Sequence, residues 1–267
     1  MKSALIGHTG FVGGVLRSQT GFDDFYNSAN IEDLPGNRYE LLVCSGAPAE
    51  KWKANQDPKA DRDNLERLTH ALAGVAAHEV ILISTVDVFG RPLEVDESTP
   101  IDEAEATPYG RHRRQLERFV EERFQARVIR LPGLFGSGLR KNAVYDLLHD
   151  NMVDRITPES EFQFYDLSNL WNDIQTARTN NLRLLHLATE PVAMSRVAHE
   201  VFGVELENHD APPPVRYDCR SRHAALWGKA NGYLYDAAQV LGAMREFVSA
   251  ERLASESTLG AADVTQG

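Results

Sequence analysis

The chain has 267 residues and only two cysteines, Cys44 and Cys219. Two cysteines so far apart make no disulfide framework and no C-x-x-C metal or redox pair. Cys44 lies in an apolar strand pattern and reads as a small core residue. Apolar runs are short, and none approaches the roughly 18 residues of a membrane span. Basic residues are in the minority, 28 Lys and Arg against 39 Asp and Glu, for a formal net charge of -11. That balance argues against nonspecific binding to nucleic acid or to an anionic membrane, since either wants a basic face. An anionic nucleotide in a local pocket stays open. His8 has no partner at metal-ligand spacing, so no metal is expected. The apolar pattern begins within the first few residues and leaves no room for a signal peptide, so a cytoplasmic protein is expected. At 42% hydrophobic the composition is globular, and the length suits one large α/β domain or two modest ones.

What the chain does have is concentrated at its start, MKSALIGHTGFVGG. A short apolar run, Ala4 to Ile6, meets a turn at Gly7. Gly10 and Gly13 follow, and a helical pattern begins with Phe11, Val12, Val15 and Leu16. A strand that stops at glycines and passes straight into a helix is the layout of a dinucleotide-binding turn. Gly7 permits the tight turn, Gly10 lets the backbone approach a pyrophosphate, and Gly13 lets the helix pack closely. The amides of the helix start then face the phosphate, with Thr9, Phe11 and Val12 lining it. The spacing is G-x-x-G-x-x-G rather than G-x-G-x-x-G.

Further strands are expected at Phe25 to Ala29, Tyr39 to Cys44, Glu79 to Ser84 and Ala126 to Leu131. Helices are expected from Asp57 to about Ala77 and from Tyr109 to about Phe124. The alternation predicts a doubly wound parallel α/β sheet of Rossmann type. The second half is less regular, with helices at Ala143 to His149, Asn169 to Thr179, Ser195 to Phe202 and Ala237 to Leu253, and strands at Phe162 to Tyr165 and Leu184 to Ala188. One domain over 1–253 is expected, with small substrate-lobe segments near 132–162 and 204–253. Residues 254–267 read as a disordered tail.

Ligands sit beyond the carboxyl ends of strands in an open parallel sheet. Three stretches follow such ends: STVDVFG (Ser84 to Gly90), YGRHR (Tyr109 to Arg113) and RLPGLFG (Arg130 to Gly136). Ser45, Gly46 and Ala47 end another strand and are small enough for close approach. Together with GHTGFVGG these stretches resemble the extended short-chain dehydrogenases/reductases of the NAD-dependent epimerase/dehydratase type. STVDVFG resembles that family's S-x-x-x-V-Y-G strand end. Tyr109 to Arg113 resembles its Y-x-x-x-K helix. RLPGLFG resembles its R-x-x-x-V-Y-G segment, and Asn64 its recurrent asparagine. The resemblance covers roughly residues 1 to 203. It implies hydride transfer with a nicotinamide cofactor, Tyr109 as acid/base, Thr85 as its hydrogen-bonding partner, and Ser84 and Leu131 beside the cofactor.

The residue types suit that chemistry. A free phenol with a pKa of about 10 is a poor base near neutrality. A cation one helical turn on favours the phenolate, and residues 109 and 113 share a helix face. The departure is Arg113, where the family has lysine: it keeps the charge but changes the donor geometry. For the cofactor ribose, the second strand offers Asn27 and Ser28 rather than a carboxylate, so NAD and NADP are both open. The leading expectation is an NAD(P)-dependent oxidoreductase, epimerase or dehydratase acting on a nucleotide-sugar or related carbonyl or polyol. The rivals are an inactive NAD(P)-binding sensor or scaffold, suggested by Arg113, and a reductase of a non-sugar carbonyl. His112 reads as an exposed helix histidine, and Trp52 and Trp171 as packing residues. The apolar face of the tyrosine helix suits either a homodimer seam or packing on the sheet.

Overall fold

A computed structural model describes residues 2–208 and 211–263, with 256–263 described by backbone alone. In chain order, β1 (Ser3–Ile6) leads through α1 (Phe11–Gln19) to β2 (Asp24–Tyr26) and β3 (Arg38–Cys44). Helices α2 (Lys51–Gln56) and α3 (Pro58–Ala73) precede β4 (Ala76–Thr85) and the short β5 (Leu93–Val95). Helix α4 (Pro108–Arg123) precedes β6 (Ala126–Leu131) and β7 (Gly133–Phe135). Then come α5 (Ala143–His149), β8 (Glu161–Phe162), β9 (Phe164–Asp166), α6 (Leu170–Thr179), β10 (Leu184–His186) and β11 (Val192–Ala193). Helix α7 (Met194–Val197) runs into a π-helical turn, and β12 (Asp218–Cys219) and α8 (Ala237–Asp263) complete the chain.

Six strands form the main sheet in the order β10-β6-β4-β3-β1-β2, and every pairing in it is parallel. The alternation of side chains along each strand divides the core into two layers. Ala4, Ile6, Leu42, Val80, Leu82 and Val128 face Leu65, Leu68, Leu72, Leu116 and Val120 of α3 and α4. Leu5, Val43, Ile81, Ile83 and Ile129 face Leu16, Leu170, Ile174 and Ala177 of α1 and α6. The doubly wound sheet is therefore the one the sequence predicts. β2 is an edge strand, and the chain passes from it to β3 on the far side of β1 through one 3-10 turn, Ile31–Asp33. The switch point, and with it the crevice, falls beside β1.

A third apolar cluster joins α5, α7, the π-helical turn and α8 around Phe135, Phe164, Met194, Leu241 and Met244. It forms a small lobe at the carboxyl edge. The strand expected over Phe162 to Tyr165 is divided: β8 pairs with β11 and β9 with β7. Between them Gln163 donates to the carbonyls of Thr189 and Cys219 and accepts from the Cys219 amide. Asp57 caps α3 and separates it from α2. Of the expected tail, residues up to Asp263 continue α8, and 264–267 lie outside the described residues.

Candidate active site at the carboxyl edge

The glycine turn comes first because it is built from backbone. Gly7 has a φ of 86°, a conformation that L side chains rarely adopt. A Cβ at Gly13 would lie 2.1 Å from the Gly7 carbonyl oxygen, so α1 seats directly on the turn. Gly10 is the N-cap of α1, and no side chain caps the helix. Its first turn carries no acidic residue. The first amides and the positive end of the helix dipole are thus left for an anion. Ser45 supports the turn from β3, its Oγ donating to the Ile6 carbonyl at 2.9 Å. A Cβ on Gly46 would lie 2.9 Å from Ile6, so Gly46 serves close strand packing. This cradle fits the pyrophosphate of a dinucleotide.

Across the crevice, Thr107 caps α4 and Pro108 opens it. A Cβ on Gly110 would lie 2.0 Å from the Asp87 carbonyl, so the helix start is pressed against the end of β4. The helix start, with Tyr109, thus meets the 3-10 turn Val86–Val88 at Asp87, and Thr85 heads that turn and accepts from the Asp87 amide at 3.1 Å. The Tyr109 hydroxyl makes no hydrogen bond among the described residues. The Arg113 guanidinium carbon lies 3.9 Å from the Tyr109 ring centroid.

Arg113 is not a free cation. It is 3% exposed and donates to Asp61 Oδ2 at 2.5 Å and to the Pro48 carbonyl at 2.5 Å. Its Nε is buried without a hydrogen-bond partner among the described residues. His112, expected to be exposed, is buried with its Nδ1 2.7 Å from the same Asp61 oxygen. The buried acidic residue of α3 is Asp61, while Asn64 is exposed. Burial raises the Tyr109 phenol above its ordinary pKa, and the pull of Arg113 and Lys51 does not overcome it. The expected lowering by the residue-113 cation is therefore reversed by desolvation.

A second cation stands nearby that sequence reasoning missed. Lys51 of α2 donates to Asp87 Oδ1 at 2.7 Å and to the Tyr217 hydroxyl at 3.0 Å. Tyr217 in turn donates to Asp87 Oδ1 at 3.0 Å. Burial, helped by Asp87 and opposed by Lys51, pushes the Tyr217 phenol up to about 12. Asn55 of the same helix accepts from the Tyr109 amide at 3.1 Å, which holds α2 against the start of α4. No sequence motif joins residues 51, 87 and 217. Only the fold brings them together.

Other expected positions have structural duties. Ser84 is buried and donates to Glu117 at 2.6 Å. Arg130 meets both oxygens of that carboxylate, at 2.9 and 2.7 Å, and Arg114 adds a third cationic contact. Leu131 is core. Ser84 and the arginine of RLPGLFG thus belong to a buried polar network behind the crevice. Asn27 and Asn30 shape the loop after β2: Asn27 Oδ1 accepts from Ala29, and Asn30 spans Phe25 and Asn27. Phe11 and Val12 are partly buried against the sheet, and Thr9 and Ser28 are exposed. Trp171 packs on Phe22, whereas Trp52 is 60% exposed and is not a packing residue.

No protein-family model and no curated protein matches this sequence. Solved structures do. RMD from Pseudomonas aeruginosa, complexed with NADPH, is 16% identical with a TM-score of 0.70, over 94% of this chain and 100% of that one. A dTDP-4-dehydrorhamnose reductase from Clostridium acetobutylicum is 15% identical with a TM-score of 0.67, over 94% and 100%. A double mutant of a dTDP-glucose 4,6-dehydratase from Streptomyces venezuelae, with NAD and DAU bound, is 12% identical with a TM-score of 0.70, over 94% and 97%. At such identities the likeness shows the fold: this chain shares the doubly wound architecture of these proteins along nearly its whole length.

Proposed function

We propose that this chain is an NAD(P)-dependent oxidoreductase of the extended short-chain dehydrogenase/reductase type, working on the carbonyl or carbinol of a nucleotide-sugar or related polyol. The observation that carries the reading is that the start of α4, with Tyr109 and its unengaged hydroxyl, packs on the turn that Thr85 heads, at the sheet edge that also holds the uncapped glycine turn. The similar solved structures bear names of reductases and dehydratases of sugar nucleotides, which supports the substrate class.

The bound nicotinamide supplies or accepts a hydride. The chain's own residues handle the oxygen. A raised phenol pKa keeps Tyr109 protonated near neutrality, so it acts as the proton donor when a carbonyl is reduced. The phenol proton passes to the carbonyl oxygen as the carbon accepts hydride, giving the alcohol and a phenolate. Arg113 over the ring steadies that phenolate, and the Thr85 hydroxyl donates to the same substrate oxygen. In Tyr109→Phe, reduction of a panel of nucleotide-linked keto-sugars is expected to fall by about 100-fold or more. The affinity for the reduced cofactor stays within about twofold. Retained turnover removes Tyr109 from the proton transfer.

A second reading rests on Arg113. Its pairing with Asp61 and the Pro48 carbonyl means that it is not the free cation expected one helical turn after the tyrosine, which favours a protein that binds cofactor without turnover. Arg113→Lys separates the two: a large gain in rate marks a decayed enzyme, and a large loss a site refitted around arginine.

A further inference from the structure

Charge acts on Tyr109 from four elements. Arg113 lies on its own helix, Asp61 on α3, Lys51 on α2 and Asp87 in the 3-10 turn after β4. They form two ion pairs, Arg113 with Asp61 at 2.5 Å and Lys51 with Asp87 at 2.7 Å. The pairs differ in what they can do. The Arg113 side chain is 3% exposed and fixed by Asp61 and the Pro48 carbonyl, and a guanidinium keeps its proton throughout. The Lys51 side chain is 40% exposed, and an ammonium on a flexible stem can turn toward charge as it develops.

Three contacts hold the second pair at the start of α4. Lys51 and Asn55 are i and i+4 on α2, so they share one face. Asn55 accepts from the Tyr109 amide at 3.1 Å, which turns that face toward the tyrosine. From the other side, Gly110 leaves room for the Asp87 carbonyl, which would lie 2.0 Å from a Cβ there. The lobe closes the group: the Tyr217 hydroxyl accepts from Lys51 at 3.0 Å and donates to Asp87 Oδ1 at 3.0 Å. Partial burial disfavours the Lys51 ammonium, but Asp87 and Tyr217 outweigh it and hold it charged. Burial is the main reason the Tyr109 phenol stays protonated; Asp87 adds to it, and Lys51 opposes it.

We propose that Lys51 and Asp87 are positioning residues for the proton transfer: Asp87 keeps Tyr109 a donor before reduction, and Lys51 steadies the phenolate that reduction leaves. The assignment rests on the oxidoreductase reading above. The phenol O–H bond breaks, its proton goes to the carbonyl oxygen while the reduced cofactor's hydride goes to the carbon, and the negative charge stays on Tyr109. Arg113 meets that charge with a fixed cation over the ring, and Lys51 with one that can move. The mobile cation therefore comes from α2, across the fold, and not from the tyrosine's own helix.

The two charges have opposite signs, so the pH dependence of keto-sugar reduction tests them. Reduction falls off on the alkaline side as Tyr109 loses its proton. In Lys51→Met that limb is expected to move to higher pH, and the plateau rate to fall by about tenfold. In Asp87→Asn the limb is expected to move to lower pH. Lys51→Arg keeps the charge and is expected to keep the limb near its wild-type position. A merely structural triangle would lower rate or stability without moving the limb. A limb that stays in place in Lys51→Met, or that moves the same way in Lys51→Met and Asp87→Asn, overturns the proposal. Should Asp87→Asn fold poorly, Lys51→Met and Lys51→Arg still decide. Titration of the phenol itself, by NMR of isotope-labelled tyrosine with Tyr109→Phe to assign the signal, is expected to show the same shifts without turnover. Unmoved phenol shifts overturn the assignment of Lys51 and Asp87, whereas moved shifts in a chain that reduces no keto-sugar overturn the oxidoreductase reading.

Discussion

The glycine turn and the first turn of α4 both lie at the carboxyl edge of the parallel sheet, and they are made of different material. The turn holds its shape through backbone: a positive φ at Gly7, a Gly13 that meets the Gly7 carbonyl, and a helix start without a cap. The α4 start holds its chemistry through side chains gathered from distant positions: Asp61 under Arg113, Lys51 and Asp87 beside Tyr109, Tyr217 from the C-terminal lobe. A backbone site depends on a few local residues being small. A side-chain site depends on charges whose pairing only the fold decides. Damage to each should therefore show a different signature.

The largest effect is expected at Asp61. Asp61→Asn leaves Arg113 and His112 buried without their shared carboxylate, and removing one partner of a buried pair costs about 3–5 kcal/mol. Urea denaturation measures it. The pH dependence sharpens the point. Burial raises the Asp61 carboxyl, but the hydrogen bonds from Arg113 and His112 outweigh it and leave it below its ordinary value. A carboxyl lowered in the folded state contributes stability above its unfolded pKa of about 4, and that contribution is lost as pH falls through the folded value. Wild type and Asp61→Asn should therefore differ near neutrality and converge once the pH has fallen through the lowered folded-state value. A gap that persists in acid would assign the loss to packing.

Gly13→Ala comes next. The new methyl must displace the Gly7 carbonyl from 2.1 Å, an overpacking that costs about 1–3 kcal/mol. Cofactor affinity should fall with stability, because the displaced atoms are the cradle itself. In Asp61→Asn, by contrast, affinity should fall much less than stability. Should Gly13→Ala bind NADPH normally while Asp61→Asn does not, the contrast between the two sites would be inverted.

The same contrast explains how much was legible in the sequence. The sheet, its helices and the glycine turn follow from apolar spacing and from glycines within a few residues of one another. The positions of Thr85, Tyr109 and Arg113 follow from motifs. What Arg113 does was hidden, because its partner lies 52 positions earlier on a helix where Asn64 had been the residue of interest. The direction of the Tyr109 shift was hidden too, since burial is a property of the assembled crevice. Ser84 and His112 show the same limit from the other side: their types suggested a ligand contact and an exposed face, and packing engaged them with Glu117 and Asp61. Lys51 and Tyr217 carried no signal beyond their types.

The smallest effect expected is at Tyr217, and it tests whether the side-chain site extends into the lobe. Tyr217→Phe removes one hydroxyl that accepts from Lys51 and donates to Asp87, while leaving the ring on Phe162 at 5.8 Å. Lys51 keeps its direct contact with Asp87 at 2.7 Å, so no buried charge is stranded. The loss in stability should be about 0.5–1.5 kcal/mol, that of a single hydrogen bond. If the triangle also poises the crevice, the variant's pH profile for keto-sugar reduction should shift, because Lys51 and Asp87 act by charge on Tyr109. With Lys51→Met as the second mutation, a double-mutant cycle separates the two outcomes. Coupling in stability alone makes Tyr217 a strut between lobe and sheet, whereas coupling in the pH profile makes it part of the proton-handling group.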